Sequence, residues 1–430
     1  MQVFEQIVKW LPILSSKGAS RGIELLAHSD QFSNYLRRKE ASSLNQTKSM
    51  RKVLVISDAN IGDTVNIQSC IEVLRYYFPD CEIDYVYSDR AHPLIAENPN
   101  ISNTFPLLHG RIRPSENDRI LLRNLVRERS YDLIINLCPF LSNRDFKCAG
   151  CPVIFPMRLV AHIVRAQSTK AEKAGFVYKL IEYINDMVFM LPVRIRPQKP
   201  KYTYSGNKIY LPEDVFIRRK EFMKSVGLSS GDKIVFFNPD ASNPYTFIPR
   251  HLQLELVEKI FFYNNFDFLL LGSAFTFSKI EMVLLDRIPY SLRKKVIIVP
   301  KELPIDICAS LVDGCEVFIS GDTGMMHIAA ARKIFANLKC PFKNRTAVVS
   351  IFGATEPKIY GYDSFKPEYI LASQDAPSKV FEAQPDCKNI TCSAQRVIKK
   401  CLLHKCFQGI DINGVVKYVV DYLSVQNLAR

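Results

Sequence analysis

Residues 53 to 65, V-L-V-I-S-D-A-N-I-G-D-T-V, decide the fold of this chain. Val53 to Ser57 has the composition of a buried strand, and Asn60 to Asp63 forms a turn that contains a glycine. Another strand-like run, Ile83 to Tyr87, follows the helix that is predicted after this turn. Strand, turn, helix and strand in this order indicate a mostly parallel sheet covered by helices. The apolar face of the predicted helix consists of Ile67, Ile71, Leu74 and Phe78.

The same alternation of strands and helices extends over most of the chain. With 430 residues, the chain is about twice as long as a usual domain of roughly 100 to 200 residues. Two α/β domains of the Rossmann type are therefore expected. Further strands are predicted at Leu133 to Leu137, Ile234 to Asn238, Phe266 to Gly272, Val296 to Val299, Val317 to Ser320 and Ala347 to Phe352, and a last helix near Ile410 to Leu423.

A proline-rich stretch separates the two predicted domains. Prolines and basic residues alternate between residues 192 and 201, and proline at this density ends helices and stiffens a connector. We therefore predict a first domain at residues 52–191, a linker at 192–204 and a second domain at 205–430. Residues 1–51 form an extension. The sequence leaves open whether its apolar helical face packs on the protein or docks on a membrane surface.

The composition is that of a globular protein with an excess of basic residues. Apolar residues make up 47% of the chain, and 57 Lys and Arg exceed 43 Asp and Glu, which gives a formal net charge of +14. This excess favours a phosphate-bearing partner such as a nucleotide, a nucleic acid or an anionic membrane surface. No run approaches the roughly 18 consecutive apolar residues of a membrane span. The twelve cysteines are irregularly spaced and no secretory signal is recognised, so free thiols in a reducing cytoplasm are expected.

Two common nucleotide-binding motifs are missing from the sequence. Gly62 is alone in its turn, whereas a dinucleotide site needs G-x-G-x-x-G at this place. No Walker loop occurs, and no recognisable nucleic-acid-binding module accompanies the basic charge. Hydride transfer and P-loop chemistry are therefore disfavoured, and no nucleic-acid partner is expected.

Two strand ends carry residues suited to chemistry. Asp63 follows the first strand, where ligands of open α/β sheets bind, and it could be either a helix N-cap or a general base toward a hydroxyl group. Gly321 and Gly324 follow a later strand and allow close approach of a ligand to a helix start that suits a diphosphate. In the same turn, Asp322 could simply cap the helix and His327 could be an ordinary buried histidine.

Two further segments are candidates for binding. Residues 236–249, F-F-N-P-D-A-S-N-P-Y-T-F-I-P, have the composition of a loop at a strand end and are predicted to form one wall of the substrate site. The basic tail at residues 387–406 contains four cysteines, which could bind a metal or remain reduced thiols, although structural metal sites favour shorter spacings. These cysteines are Cys387, Cys392, Cys401 and Cys406.

Together these motifs resemble glycosyltransferase family 9, the lipopolysaccharide heptosyltransferases. The resemblance extends from about Lys52 to Leu423. The matching segments, in the family's order, are V-L-V-I-S-D-A-N-I-G-D-T-V from Val53, F-P-D-C-E-I-D from Phe78, Y-D-L-I-I-N-L from Tyr131, F-F-N-P-D-A-S from Phe236, S-G-D-T-G-M-M-H-I-A-A-A from Ser320 and I-F-G-A-T-E-P from Ile351.

The resemblance implies a GT-B fold, in which two Rossmann-like domains face a cleft and hold the acceptor and the nucleotide sugar. It implies an inverting reaction with ADP-heptose or a related ADP-sugar as donor and no required cofactor or metal. The implied acceptor is a glycolipid or oligosaccharide of the lipopolysaccharide-core type, at the cytoplasmic face of the inner membrane, with peripheral contact to its anionic surface. Asp63 matches the general base. The implied donor-binding residues are Ser242, Asp322, Thr323, Gly324, Met325 and His327.

One departure from the family pattern concerns the donor phosphates. The family usually carries a lysine in the loop after the first strand of the second domain, and here Thr246 stands in the corresponding stretch. Arg250 is a candidate replacement, but it lies beyond Pro249. The departure keeps two alternatives open. One is a transferase that uses a different nucleotide sugar for another surface glycan, and the other is a catalytically silent protein that binds a sugar nucleotide or glycolipid.

Overall fold

The computed structural model describes most of the chain from residue 41 onward. The sequence-based expectation for the apolar face at the start of the extension lies outside the described residues. None of the described helices is both long enough and apolar enough to span a membrane. The described residues are 38, 41–57, 60–109, 114–138, 140–155, 176–202, 207–239, 241, 246–272, 283, 285–339, 347–353, 355, 357, 361, 378–383 and 405–428.

Strands and α-helices alternate along these residues. The strands are β1 (Lys52–Ile56), β2 (Glu82–Ser88), β3 (Asn103–Leu108), β4 (Leu133–Asn136), β5 (Val153–Ile154), β6 (Ile234–Asn238), β7 (Phe268–Leu271), β8 (Val296–Ile298), β9 (Val317–Gly321), β10 (Ala347–Phe352) and β11 (Ser378–Glu382). The helices are α1 (Ile61–Tyr77), α2 (His92–Ile95), α3 (Glu116–Arg129), α4 (Phe176–Met190), α5 (Glu213–Ser225), α6 (Arg250–Tyr263), α7 (Tyr290–Arg293), α8 (Ile305–Asp313), α9 (Gly324–Lys339) and α10 (Ile412–Leu428).

The strands form two parallel sheets with the same succession. The first sheet has the order β3-β2-β1-β4-β5, and the second has the order β11-β10-β9-β6-β7-β8. In each sheet the chain adds two strands on one side of its first strand and then returns to pair the next strand on the other side. This reversal of strand order lies between β1 and β4 in the first sheet and between β6 and β9 in the second. The expected class, two Rossmann-like α/β domains, is confirmed.

The interior strands are buried on both faces, as parallel sheets require. In β1, Val53 and Val55 pack with α1 and α4, while Leu54 and Ile56 face the side covered by α3. Phe236 and its neighbours in β6 divide in the same way between the α8 side and the side of α6 and α10. Each such side chain contributes roughly 1.5 to 3 kcal/mol when it is fully buried.

Eight described strands match the sequence-based predictions closely, and three were missed. The missed strands, β3, β5 and β11, all lie at sheet edges. An edge strand pairs on one side only and needs no continuous apolar run, and it tolerates proline, which β3 contains at Pro106. The domain boundaries inferred from the proline-rich stretch stay a prediction.

Residues 207 to 211 join the two domains by contacts to both. The Asn207 side-chain amide donates to Asn66 Oδ1 of α1 at 2.8 Å, and Lys208 Nζ lies 3.0 Å from Glu72 Oε2 in the same helix. On the other side, Arg332 of α9 donates to the backbone carbonyl of Ile209 at 2.8 Å. Between them lies one apolar cluster that both domains share: Val65, Leu94, Ile209, Ala309, Ile328 and Ala331. The facing helices α1 and α9 are thus held in place.

Candidate functional site

Asp63 lies in the first turn of α1, at the carboxyl end of β1. The N-cap of this helix is Asn60, so Asp63 is not the residue that begins it. The Asn60 side-chain amide donates to Asp63 Oδ2 at 3.1 Å. Of the two roles that the sequence left open for Asp63, the structure therefore excludes the N-cap position.

The Asp63 carboxyl is half-buried and its pKa is raised from the ordinary value of 3.8. Loss of hydration is the largest cause, and the nearby Asp322 carboxylate acts in the same direction. The hydrogen bond from Asn60 and the neighbouring His327 oppose this rise in the pKa. Asp63 therefore interacts electrostatically with two residues of the other domain. A carboxylate with an elevated pKa is a stronger proton acceptor than an exposed one.

The turn between β9 and α9 is capped by Thr323 rather than by Asp322. Thr323 Oγ1 accepts a hydrogen bond from the backbone N–H of Met326 at 3.2 Å and lies 3.0 Å from Ser320 Oγ. Because Thr323 satisfies the helix start, the Asp322 carboxylate is not used as a cap. The Thr323 hydroxyl therefore stabilises the start of α9. Its predicted contact with the donor would be made in addition to these hydrogen bonds.

His327 lies one turn into α9 and brings its imidazole back to this turn. Its Nε2 is 3.7 Å from Asp322 Oδ1, and the two side chains are 8% and 13% exposed. The histidine is therefore buried, but it is not packed only among apolar side chains. An imidazole beside a carboxylate at a helix start is suited to hydrogen bonding with a polar ligand.

The two helix starts touch at glycines. A Cβ atom at Gly62 would lie 2.9 Å from His327 Cδ2 and 3.4 Å from Gly324 Cα. A Cβ atom at Gly324 would in turn lie 3.4 Å from the backbone nitrogen of Gly62. Glycine at both positions lets α1 and α9 approach closely. This contact brings Asp63 and the turn at Asp322 together.

The segment after β6 closes one side of this turn. A Cβ atom at Gly321 would lie 2.5 Å from the backbone oxygen of Thr246, so this segment crosses directly over the end of β9. Beneath it, the side-chain amide of Asn238, at the end of β6, donates to Ser320 Oγ at 3.4 Å. Both contacts lie between β6 and β9, where the strand order of the second sheet reverses, and open α/β sheets bind ligands at such a point.

Several predicted site residues lie elsewhere or outside the described residues. Ser242 lies outside them, as do Cys387, Cys392 and Cys401 of the tail. The Met325 side chain packs in the apolar clusters around α9, so a contact of this residue with a ligand would come from its main chain. Arg250 is exposed at the first position of α6, and Thr246 is 6% exposed.

The metal hypothesis for the cysteine-rich tail is not tested by the described residues. Cys406, the one tail cysteine that is described, is half-buried against the core of the second domain. Elsewhere in the described ranges, no group of three or more His, Cys, Asp or Glu side chains is placed to hold a metal ion.

Sequence reasoning missed three residues that organise the site. Asn60 contacts Asp63, Ser320 contacts Thr323, and Asn238 links the ends of β6 and β9. The available signal was a polar residue type, at the end of the strand for Asn238 and Ser320 and at the start of the next helix for Asn60. Such side chains are common at strand ends and helix starts, so the partner of each becomes visible only in three dimensions.

Comparison with known proteins agrees with this arrangement. Residues 207–390 match the sequence model of glycosyltransferase family 9 (heptosyltransferase). Lipooligosaccharide heptosyltransferase 2 of Haemophilus ducreyi is 24% identical over 325 residues, which are 71% of this chain and 84% of that protein. The same-named protein of Haemophilus influenzae is 23% identical over 326 residues, again 71% of this chain and 84% of that protein.

Solved structures show the same fold. The family 9 glycosyl transferase of Veillonella parvula has a TM-score of 0.62 and 17% identity, over 87% of this chain and 98% of that chain. The ADP-heptose lipopolysaccharide heptosyltransferase II of E. coli has a TM-score of 0.59 and 17% identity, over 87% and 99%. At these identities the likeness is one of architecture, the GT-B arrangement of two Rossmann-like domains.

Proposed function

We propose, from the match of residues 207–390 to glycosyltransferase family 9 and the similarity to lipooligosaccharide heptosyltransferases, that this chain moves a heptose or related sugar from an ADP-sugar, ADP-heptose in the first instance, to an acceptor of the lipopolysaccharide-core type. The observation that carries the proposal is the contact between the start of α1, with Asp63, and the start of α9, with Asp322 and His327. It brings a carboxylate of one domain, which we propose as the proton acceptor, beside a helix start of the other, which we propose to bind the donor diphosphate. Relatives named as lipooligosaccharide heptosyltransferases support the choice of sugar and acceptor.

In the proposed reaction, Asp63 takes the proton of the acceptor hydroxyl. The acceptor oxygen attacks the anomeric carbon as the bond from that carbon to the donor diphosphate breaks, and the electron pair leaves with the nucleoside diphosphate. Attack opposite the leaving group inverts the anomeric centre. Proton abstraction by a positioned carboxylate typically contributes 10²- to 10⁴-fold to the rate.

The departing diphosphate would lie at the start of α9. Backbone N–H groups of a helix start attract anions, and hydrogen-bond donors placed where charge develops stabilise the transition state. Asp322 and His327 would bind other polar groups of the donor at the same place. We propose that the reaction needs no metal or other cofactor.

The place of action follows from the proposed acceptor. A lipopolysaccharide-type acceptor is made at the cytoplasmic face of the inner membrane, and the basic excess of the chain favours contact with an anionic leaflet. We propose a cytoplasmic protein that makes peripheral contact with this surface.

The donor is tested by thermal unfolding with ADP, UDP, GDP and their sugar conjugates, including ADP-heptose. A ligand at about 100 times its Kd adds roughly 2.7 kcal/mol to the free energy of unfolding. We expect ADP-heptose to raise the Tm of the wild type and of the surface control Asp286→Ala, and the shift to be lost in Asp322→Ala. If only another nucleotide sugar stabilises the protein, that compound is the donor and ADP-heptose is not. The threonine at position 246, in place of the family's usual lysine, is the reason to include these compounds.

Catalysis is tested with Asp63→Asn, which keeps the size of the side chain and removes the base. Turnover is expected to fall at least about 100-fold while the donor-induced Tm shift remains. If the wild type binds ADP-heptose and never turns over with core-type acceptors, the protein is a binding protein and the proposed reaction is wrong.

A further inference from the structure

Asn60 holds the N-cap position of α1 but does not cap the helix with its side chain. Asparagine is among the preferred N-cap residues because its side-chain oxygen accepts a hydrogen bond from a backbone N–H of the first turn. Here no such bond is made. Instead the side-chain amide of Asn60 donates to Asp63 Oδ2 at 3.1 Å. The side chain is thus directed to the carboxylate.

The backbone of Asn60 is anchored to the end of β1. Its carbonyl oxygen accepts two hydrogen bonds from Thr64, one from the backbone N–H and one from the hydroxyl, both at 2.9 Å. Thr64 Oγ1 also lies 3.4 Å from Ser57 Oγ, and both of these residues are fully buried. A buried hydroxyl pair therefore fixes the backbone from which the Asn60 side chain extends.

We propose that Asn60 is a positioning residue for the transfer reaction: its amide holds one oxygen of Asp63 and leaves the other to take the proton of the acceptor. The inference rests on the proposed role of Asp63 as the base. A side chain held by a hydrogen bond keeps one rotamer, and displacement of a reacting group by about 1 Å can cost roughly 100-fold in rate.

The same hydrogen bond influences the charge of the base. A donor to a carboxylate stabilises its ionised form, so Asn60 lowers a pKa that burial raises. Without this donor the pKa of Asp63 would rise further, so that at a given pH a larger fraction of the carboxyl would be protonated and unable to accept a proton. The orientation and the ionisation of the Asp63 carboxylate therefore both depend on the side-chain amide of Asn60, and a serine at position 60 would lack this group.

A series of variants separates this role from that of a helix cap. Asn60→Ser keeps a good N-cap residue and removes the amide, whereas Asn60→Ala removes both. Asn60→Asp also keeps the cap but places a second negative charge beside Asp63. The measurements are Tm, the donor-induced Tm shift, kcat against pH, and a ¹³C carboxyl NMR titration of Asp63, assigned with Asp63→Asn.

We expect Asn60→Ser to keep the Tm and the donor-induced shift of the wild type. Its kcat should fall roughly tenfold or more, as expected for a misplaced reacting group, while the carboxyl titration and the acid limb of kcat move to higher pH. Asn60→Asp should move both further. If Asn60→Ser has the same kcat and the same Asp63 carboxyl titration as the wild type, Asn60 is only a helix cap and the inference is wrong. If Asp63→Asn keeps full turnover, Asp63 is not the base, and the proposed function fails at that step together with the inference.

Discussion

Gly62 lies directly against the imidazole of His327: a Cβ atom at residue 62 would be 2.9 Å from His327 Cδ2. The first residue belongs to the domain that carries Asp63, and the second belongs to the domain with the turn at Asp322. Real Cβ atoms essentially never approach another heavy atom so closely. The close approach of α1 and α9, and with it the distance between Asp63 and the turn at Asp322, therefore requires that residue 62 has no Cβ atom.

Gly62→Ala is expected to separate α1 from α9 by a few tenths of an ångström, because the added Cβ also meets Gly324 Cα at 3.4 Å. We predict a fall in kcat of roughly tenfold or more, since reacting groups on opposite domains would be misaligned. Steady-state kinetics with the cognate donor and acceptor would measure it. Gly231→Ala is the matched control, because a Cβ there has nothing within 4 Å, and it should leave kcat unchanged. Equal kcat in Gly62→Ala and the wild type would contradict the prediction.

The acid limb of the activity profile should lie above the ordinary range of an aspartate. Burial raises the pKa of Asp63 from 3.8, and only the ionised form can accept a proton. Turnover is therefore expected to fall as the pH decreases through this raised pKa. The profile of kcat against pH measures it, and circular dichroism at each pH confirms that the protein stays folded. An acid limb near or below the ordinary aspartate value would show that another group limits the reaction.

The same shift makes Asp63 a cost to stability at neutral pH. Because the pKa is higher in the folded than in the unfolded state, the folded state binds more protons between the two values. The free energy of unfolding therefore decreases as the pH rises through this window and stays lower above it. Asp63→Asn should have a higher Tm than the wild type at pH 7, and the difference should disappear in acid. A lower Tm at pH 7 would show that the ionised carboxylate stabilises the fold.

Arg332 of α9 forms a buried ion pair with Asp313 of α8 and also donates to the Ile209 carbonyl at the junction of the two domains. Arg332 Nε donates to Asp313 Oδ1 at 3.0 Å, and the arginine side chain is 5% exposed. Arg332→Met would leave the Asp313 carboxylate buried and unpaired, which typically costs about 3 to 5 kcal/mol. Chemical denaturation should show this loss. Burial raises the pKa of Asp313 and removal of Arg332 raises it further, so the loss should become smaller as the pH falls and protonation relieves the unpaired charge.

Two further variants control this experiment. The double variant Arg332→Met/Asp313→Leu removes both charges and should recover much of the lost stability. Lys417→Met removes one member of an exposed pair, whose side chains are 76% and 59% exposed, and should leave the unfolding midpoint almost unchanged. If the double variant is as unstable as Arg332→Met, the loss comes from packing and the missing hydrogen bond to Ile209 and not from an unpaired charge.

The interior of both sheets was predictable from local pattern. A fully buried parallel strand needs a run of apolar residues, so β1, β6 and β10 are visible in the sequence almost to their ends. The edge strands β3 and β11 are paired on one side only, and their shorter or mixed patterns resemble those of loops. A continuous apolar run is therefore the property that made a strand predictable, and the edge strand β8, V-I-I, was predicted for the same reason.

The site was predictable as a set of separate turns. Glycine and aspartate at the ends of β1 and β9 indicated ligand-binding turns, because the carboxyl ends of strands bind ligands in open α/β sheets. Which residue caps each helix could not be inferred. Asp63 and Asp322 were both plausible caps, and the structure gives the two N-terminal positions to Asn60 and Thr323 instead.

The sequence by itself determined the two Rossmann-like units and the turns in which their ligands would bind, because these depend on the periodicity of neighbouring residues. Only the tertiary structure decided that Gly62 meets His327 and that Asp63 interacts with Asp322. These contacts join residues far apart in the chain. Electrostatic interaction depends on distance through space and on hydration, and the packing of α1 against α9 sets both.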